Sequence, residues 1–256
     1  MARSTRLVLS VAVFLAIPVT SPAQTRPDRL RFGVSGGIQM TRPLEQSLST
    51  DTYVEPAPIT AKAKRSALPL LDVGVVVPLR RDVGVTAAFS YAGASRDVPI
   101  EADIPHPFYF DRLRSVSGRV GDVRHSEAAV HVGGAYLIVG RRLDVVLGGG
   151  VTLFSVDQDL VTGVVVDEAY PYDSATFANA SLSRVRVSAV GYHAAADVTW
   201  KVSPRWGIGV LARFARARPA FDVGSLDAGE ATAGGAQVAA GLRLVVPQRS
   251  KPRRRS

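Results

Sequence analysis

The chain contains no cysteine, so it can build neither a disulfide framework nor a thiolate metal site. Beyond residue 23 it has no run of 18 apolar residues, which excludes membrane-spanning helices. Helical periodicity is weak throughout. Aromatic residues make up only 7% of the chain. Charge of one sign is in excess, at +9, but most of that excess sits at the two ends. Arg3 and Arg6 lie at the N-terminus, and Arg249, Lys251, Arg253, Arg254 and Arg255 lie in the last eight residues. The body between is close to neutral. The high isoelectric point is therefore a property of the ends, and no nucleic-acid-binding face is expected.

What is present begins with a secretory signal. Arg3 and Arg6 form a positive region, Leu7 to Val19 an apolar stretch of 13 residues, and Ser21-Pro22-Ala23 a small-residue cleavage site before Gln24. Thirteen apolar residues are too few to cross ~30 Å of hydrocarbon, which needs about 20. The expected organisation is a signal peptide at 1–23, one β-barrel at 24–246 and a disordered basic tail at 247–256. As a hypothesis, that tail contacts anionic groups on the periplasmic side.

The body alternates apolar with small or polar residues in eight stretches: 30–41, 67–78, 83–95, 124–139, 144–157, 185–202, 205–218 and 234–246. Their connections alternate in length. Leu79-Arg80-Arg81-Asp82, Gly140-Arg141-Arg142-Leu143 and Ser203-Pro204 are short. Segments 42–66, 97–123, 158–184 and 219–233 are long. Short turns at one end and long loops at the other are what an up-and-down transmembrane barrel produces, and an even strand number puts both termini at the short-turn end.

The alternation also assigns faces. Tyr192, Ala194, Ala196, Val198 and Trp200 share one side of their strand, and His193, Asp197, Thr199 and Lys201 the other. Trp206, Ile208, Val210, Ala212 and Phe214 oppose Gly207, Gly209, Leu211 and Arg213. Glycine and alanine accompany the charged side, as a crowded narrow lumen requires. Trp200 and Trp206 flank one short turn on the apolar side, where an interfacial aromatic girdle belongs.

The signal peptide, the eight alternating strands and the ending Gln237-Val238-Ala239-Ala240-Gly241-Leu242-Arg243-Leu244 resemble the bacterial outer-membrane β-barrel family that includes the barrel of outer membrane protein A. The resemblance covers roughly residues 28–246. It implies an all-β, single eight-stranded antiparallel barrel in a Gram-negative-type outer membrane. It implies as partners the outer-membrane lipid, lipopolysaccharide and the barrel assembly machinery. Barrels of this family commonly end in an aromatic residue, whereas here Val246 is followed by Pro247 and the basic tail.

The candidate site residues are of three kinds. Arg31, Gln39, Asp72, Glu127, His131, His193, Asp197, Arg213 and Arg243 face inward and form a luminal polar network. An eight-stranded barrel is just wide enough for its side chains to fill, and buried charges need partners. Asp197 and Arg213, on adjacent strands, are expected to pair diagonally. Trp200 and Trp206 form the girdle. Phe108, Tyr109 and Phe110 are candidates for contact: as a lid packed over the barrel mouth, or as a binding or adhesion surface.

No catalytic site, metal or cofactor is expected. His131 and His193 stand two strands, or about 10 Å, apart with no recognised third ligand. His125 and Ser126 of His125-Ser126-Glu127 point to opposite faces of a strand, which disfavours a hydrolase. Asp157, Asp159, Asp167, Glu168 and Asp173 read as a solvated acidic run, with divalent cations of the lipopolysaccharide layer as the other reading. The function expected is that of a structural or interaction protein with a plugged lumen and external contact loops. A narrow passive pore, or a secreted or periplasmic lipocalin-like barrel holding an apolar ligand, are the alternatives.

Overall fold

The computed structural model describes residues 29–41, 44–63, 66–80, 82–218 and 232–247. The signal sequence, most of the last long connection and the basic tail lie outside them. The described residues form ten strands: β1 (Arg29–Met40), β2 (Leu44–Thr52), β3 (Glu55–Ala63), β4 (Ala67–Pro78), β5 (Val83–Pro105), β6 (Leu113–Val139), β7 (Leu143–Glu168), β8 (Ala175–Lys201), β9 (Trp206–Ala217) and β10 (Ala233–Pro247). Eight of them close a ring: β1 pairs with β4, then β5, β6, β7, β8, β9 and β10 follow in turn, and β10 returns to β1. Every step is antiparallel. Closure leaves no free edge in the barrel, which is what lets a sheet cross a bilayer with every backbone group paired.

The wall is inverted relative to a soluble protein. Phe32, Val34 and Ile38 of β1, Val83, Val85, Phe89 and Tyr91 of β5, and Trp206, Ile208, Val210 and Phe214 of β9 are exposed on the outside. Ser35, Gln39, Asp72, Glu127, His131 and Arg213 are buried inside. The run from Trp206 to Phe214 measures about 26 Å along its strand at ~3.3 Å per residue, or about 20 Å across a membrane at the usual tilt. With its apolar side chains outside and its charged ones inside, this is a transmembrane barrel. Trp200 and Trp206 are half-exposed beside the turn at 202–205; Tyr91 and Tyr192 stand exposed nearer the opposite margin.

Three of the long connections are not loops. Segment 42–66 contains the β2–β3 hairpin, which adds to the upper part of β5. Segments 97–123 and 158–184 are mostly strand: β5–β6 and β7–β8 continue as paired hairpins well past the barrel. Their alternation was hidden by bulges. On β6, His125, Glu127 and His131 face in at odd positions, but Val120, Val116 and Arg114 do so at even ones. One extra residue at Gly121-Asp122, with Asp122 at φ 57°, switches the phase. Similar register shifts lie at Val161/Gly163 and Val165/Val166 on β7.

Above the shift the polarity of the two faces also exchanges. Val98, Ile100, Ile104, Val116, Val120 and Val161 now face one another with Leu48 and Ile59 of the added hairpin, forming a second core. Glu101, Asp103 and Arg119 face water. The extension therefore folds on the ordinary hydrophobic effect, and the barrel beneath it does not. Gly118 allows the hairpins to close: a Cβ there would overlap the ring of Phe177. Gln46 binds β2 to β7 by donating from its amide to Val161 O (2.6 Å) and accepting from Val161 N–H (3.1 Å), as a strand would.

Candidate functional site

Inside the barrel, the alternation places the polar side chains in one continuous network. Glu127 is at its centre. It accepts from Gln39 Nε2 at 2.7 Å, from the Gly234 N–H at 2.8 Å and from His125 Nε2 at 3.0 Å. Gln237 donates to Gln39 Oε1 at 2.7 Å, and Arg213 donates to Gln237 Oε1 at 3.2 Å and Asp72 Oδ2 at 2.6 Å. Leu68, Leu70, Ala92, Leu211 and Ala239 pack together as an apolar cluster within the same lumen. These buried side chains pack across the middle of the lumen.

The expected diagonal between Asp197 and Arg213 does not form. Arg213 turns to Asp72, and Asp197 accepts from Arg243 Nε at 2.9 Å. The reason is room. A Cβ at Gly209 would come within 2.8 Å of Arg243 Nε, and one at Gly33 within 3.1 Å of its Cδ, so these two glycines make the slot in which the Arg243 guanidinium lies. Nearer the short-turn end, Asp144 is shared by Arg31 (3.1 Å) and Lys201 (2.7 Å).

His131 and His193 come closer than their strand separation suggested, with ring centroids 5.1 Å apart. The Thr152 hydroxyl joins them, at 2.9 Å from His131 Nδ1 and 3.0 Å from His193 Nδ1, while Ser90 Oγ engages His131 Nε2 at 2.9 Å. Among the described residues, no group of three or more metal-ligating side chains is assembled. His125 is occupied by Glu127 and Gln158, and Ser126, on the alternate face, makes no contact with it that would activate a hydroxyl.

The second cluster lies at the far ends of the extended hairpins. Phe108, Tyr109 and Phe110 do not lie over the barrel mouth. They cap the β5–β6 hairpin, about 30 Å along the strand from Arg96 at ~3.3 Å per residue. All three are exposed, Phe110 by 79%. The other two tips stand beside them: Tyr53 and Val54 from the β2–β3 turn, Tyr170 and Tyr172 from β7–β8. Phe108 meets Tyr172 edge-on at 5.5 Å, and Tyr170 meets Tyr172 at 6.2 Å. Val54 and Tyr170 are 93% and 84% exposed.

Polar contacts hold the tips in register. Arg114, buried, donates to Glu168 Oε1 at 2.8 Å, to Pro105 O at 2.7 Å and to Tyr172 O at 3.0 Å. Tyr53 Oη donates to Glu168 Oε2 at 3.0 Å, so one carboxylate links three hairpins. Partial burial, and next the hydrogen bond to Glu168, hold the Tyr53 phenol above its ordinary pKa. Arg112 pairs with Asp173 at 2.9 Å and lies over the Tyr109 ring at 5.6 Å.

Most of the acidic run is paired with arginine. Asp157 pairs with Arg186 at 2.6 Å, Asp159 with Arg184 at 3.0 Å, Glu168 with Arg114 and Asp173 with Arg112. Tyr53, Arg114, Tyr170 and Tyr172 were not singled out from the sequence, and Glu168 only as part of the acidic run. The available signal was repetition: three long connections each carry aromatics near their midpoint, at 53, 108–110 and 170–172.

No family model and no curated protein matches the chain. Solved structures do. Neisserial surface protein A (NspA) is similar at 8% identity and a TM-score of 0.45, over 84% of this chain and 96% of that one. The outer membrane protein OprG from Pseudomonas aeruginosa is similar at 10% identity and a TM-score of 0.43, over 85% and 96%. The outer membrane protease OmpT from Escherichia coli is similar at 11% identity and a TM-score of 0.47, over 88% and 99%. At such identity and TM-score the likeness concerns the fold alone, and the barrel architecture rests on this chain's own ring of eight antiparallel strands and its apolar outer wall.

Proposed function

We propose that this protein is an outer-membrane interaction protein whose working surface is the joined hairpin tips. The observation that carries this reading is the set of exposed aromatic and apolar side chains at Tyr53, Val54, Phe108, Tyr109, Phe110 and Tyr170, in the turns that join paired strands and are tied together through Arg114 and Glu168. Large apolar groups displayed on a rigid support lose little entropy when a partner covers them, and aromatics are the side chains most often central to such contacts. Backbone strain occurs at the same place: Tyr53 and Val54 have φ of 54° and 68°. For a β-branched residue that is a true outlier, of the kind that collects at functional sites. The role needs no catalysis.

Within the membrane, the apolar wall contacts lipid, and the Arg184 and Arg186 row above it stands at the height of lipopolysaccharide headgroups. Insertion by the barrel assembly machinery accompanies this location. The test is surface display. Cells carrying the protein are applied to arrays of host glycans and extracellular-matrix proteins, beside cells carrying Phe108→Ser, Phe110→Ser and Tyr170→Ser together. Binding by the parent strain, lost in the triple variant at equal surface level, is expected. Binding equal in both, or none above the empty strain, sinks the proposal.

The passive pore remains as a second reading because the lumen is hollow toward the short-turn end. The layer of Gln39, Glu127 and Gln237 opposes it. In planar bilayers the parent protein is expected to give no steady conductance steps.

A further inference from the structure

The lumen is filled only in part. Between the plug and the short turns lies a cavity of about 340 Å³. It reaches from His131, His193 and Arg213 at the inner end to Arg141, Ser203 and Pro204 at the turns. This end faces the periplasm in a barrel whose termini and short turns are periplasmic.

The charges on its wall do not balance. Five cations, Arg31, Arg141, Lys201, Arg213 and Arg243, face three carboxylates, Asp72, Asp144 and Asp197. Arg213 takes Asp72 and Arg243 takes Asp197. Asp144 alone answers both Arg31 and Lys201, so the surplus is localised beside the entrance. A charged acceptor entering the cavity offsets this surplus.

We propose that this cavity is a periplasm-facing binding vestibule for a small oxyanion, a molecule bearing a carboxylate or a phosphate. Arg31 and Lys201 receive it at the entrance, and the Arg213 guanidinium adds positive charge to the wall at depth. The plug behind makes the vestibule a dead end, so the ligand enters and leaves on one side. The volume suits a molecule of several heavy atoms and excludes a polymer.

The test uses the full mature protein, folded in detergent micelles and checked by heat-modifiable gel mobility. Inorganic phosphate and succinate are titrated separately by isothermal calorimetry at constant ionic strength, with chloride as reference. Saturable one-site binding of at least one of them is expected, and which one it is identifies the oxyanion class. Arg31→Gln should weaken it about tenfold or more. Ala195→Leu fills the cavity without touching an ion pair and should abolish it, so the proposal does not depend on a charge variant folding. The tip variant Phe110→Ser should bind as the parent does. No saturable binding by either probe, or binding unchanged in both Arg31→Gln and Ala195→Leu, overturns the vestibule.

Discussion

Glu168 joins three hairpins through one carboxylate, and its neighbours give measurable consequences. Tyr53 ionises above the ordinary tyrosine value near 10. The neutral phenol is the donor, so its contact with Glu168 is present at neutral pH and is lost as pH rises through the raised pKa. A 295 nm titration of the parent minus Tyr53→Phe should isolate one late-ionising tyrosine. Glu168→Gln should lower its pKa only partway, because burial raises it as well. Beside it, Val54→Gly removes a strained left-handed valine and should steady the β2–β3 turn by about 1–3 kcal/mol. Hydrogen exchange at residues 52–55 reads that change; faster exchange would contradict it. Within the lumen, Asp72→Ala leaves Arg213 buried without its carboxylate and should destabilise the barrel by about 3–5 kcal/mol. Leucine at both positions should cost clearly less in urea unfolding from lipid vesicles.

At the level of elements, the hairpins depend on close approach. Gly118→Val sets two methyl groups against Phe177, an overpacking of about 1–3 kcal/mol. Early proteolysis between residues 97 and 121, with heat-modifiable mobility kept, is the expected result. Retained mobility matters because the barrel ladder does not pass through Gly118. The same elements explain what could be read from sequence and what could not. All eight barrel stretches were legible, since each keeps one phase of alternation from turn to belt. The extensions were not, although Val98, Ile100, Ala102 and Ile104 alternate cleanly. Their partner strand changes phase at Gly121-Asp122, and their apolar face lies on the side that is polar lower down. Scored for one inside and one outside, such a segment looks like a broken pattern and is taken for a loop.

The whole molecule joins two kinds of stability along its axis. The barrel has polar groups inside and apolar ones outside, and the ladder and ion pairs hold it in lipid. The extension has an apolar interior and folds as a protein in water does. Replacing 97–121 and 160–183 by short turns should therefore leave a barrel that inserts and resists heat, which gel mobility would establish. Loss of insertion would mean that the upper core is needed to assemble the lower one.

The sequence by itself determined the number of barrel strands, the faces, the closed barrel and which polar residues point inward, because period-2 alternation and turn length are local properties. Tertiary structure alone decided the partners. Whether Arg213 met Asp197 or Asp72 depended on the space that Gly33 and Gly209 leave for Arg243. Whether Phe108, Tyr109 and Phe110 covered the mouth or stood far above it depended on ladders between segments distant in the chain. The hollow between Arg31 and Arg213 exists only once eight strands close around it, since a cavity belongs to the ring and to no strand within it.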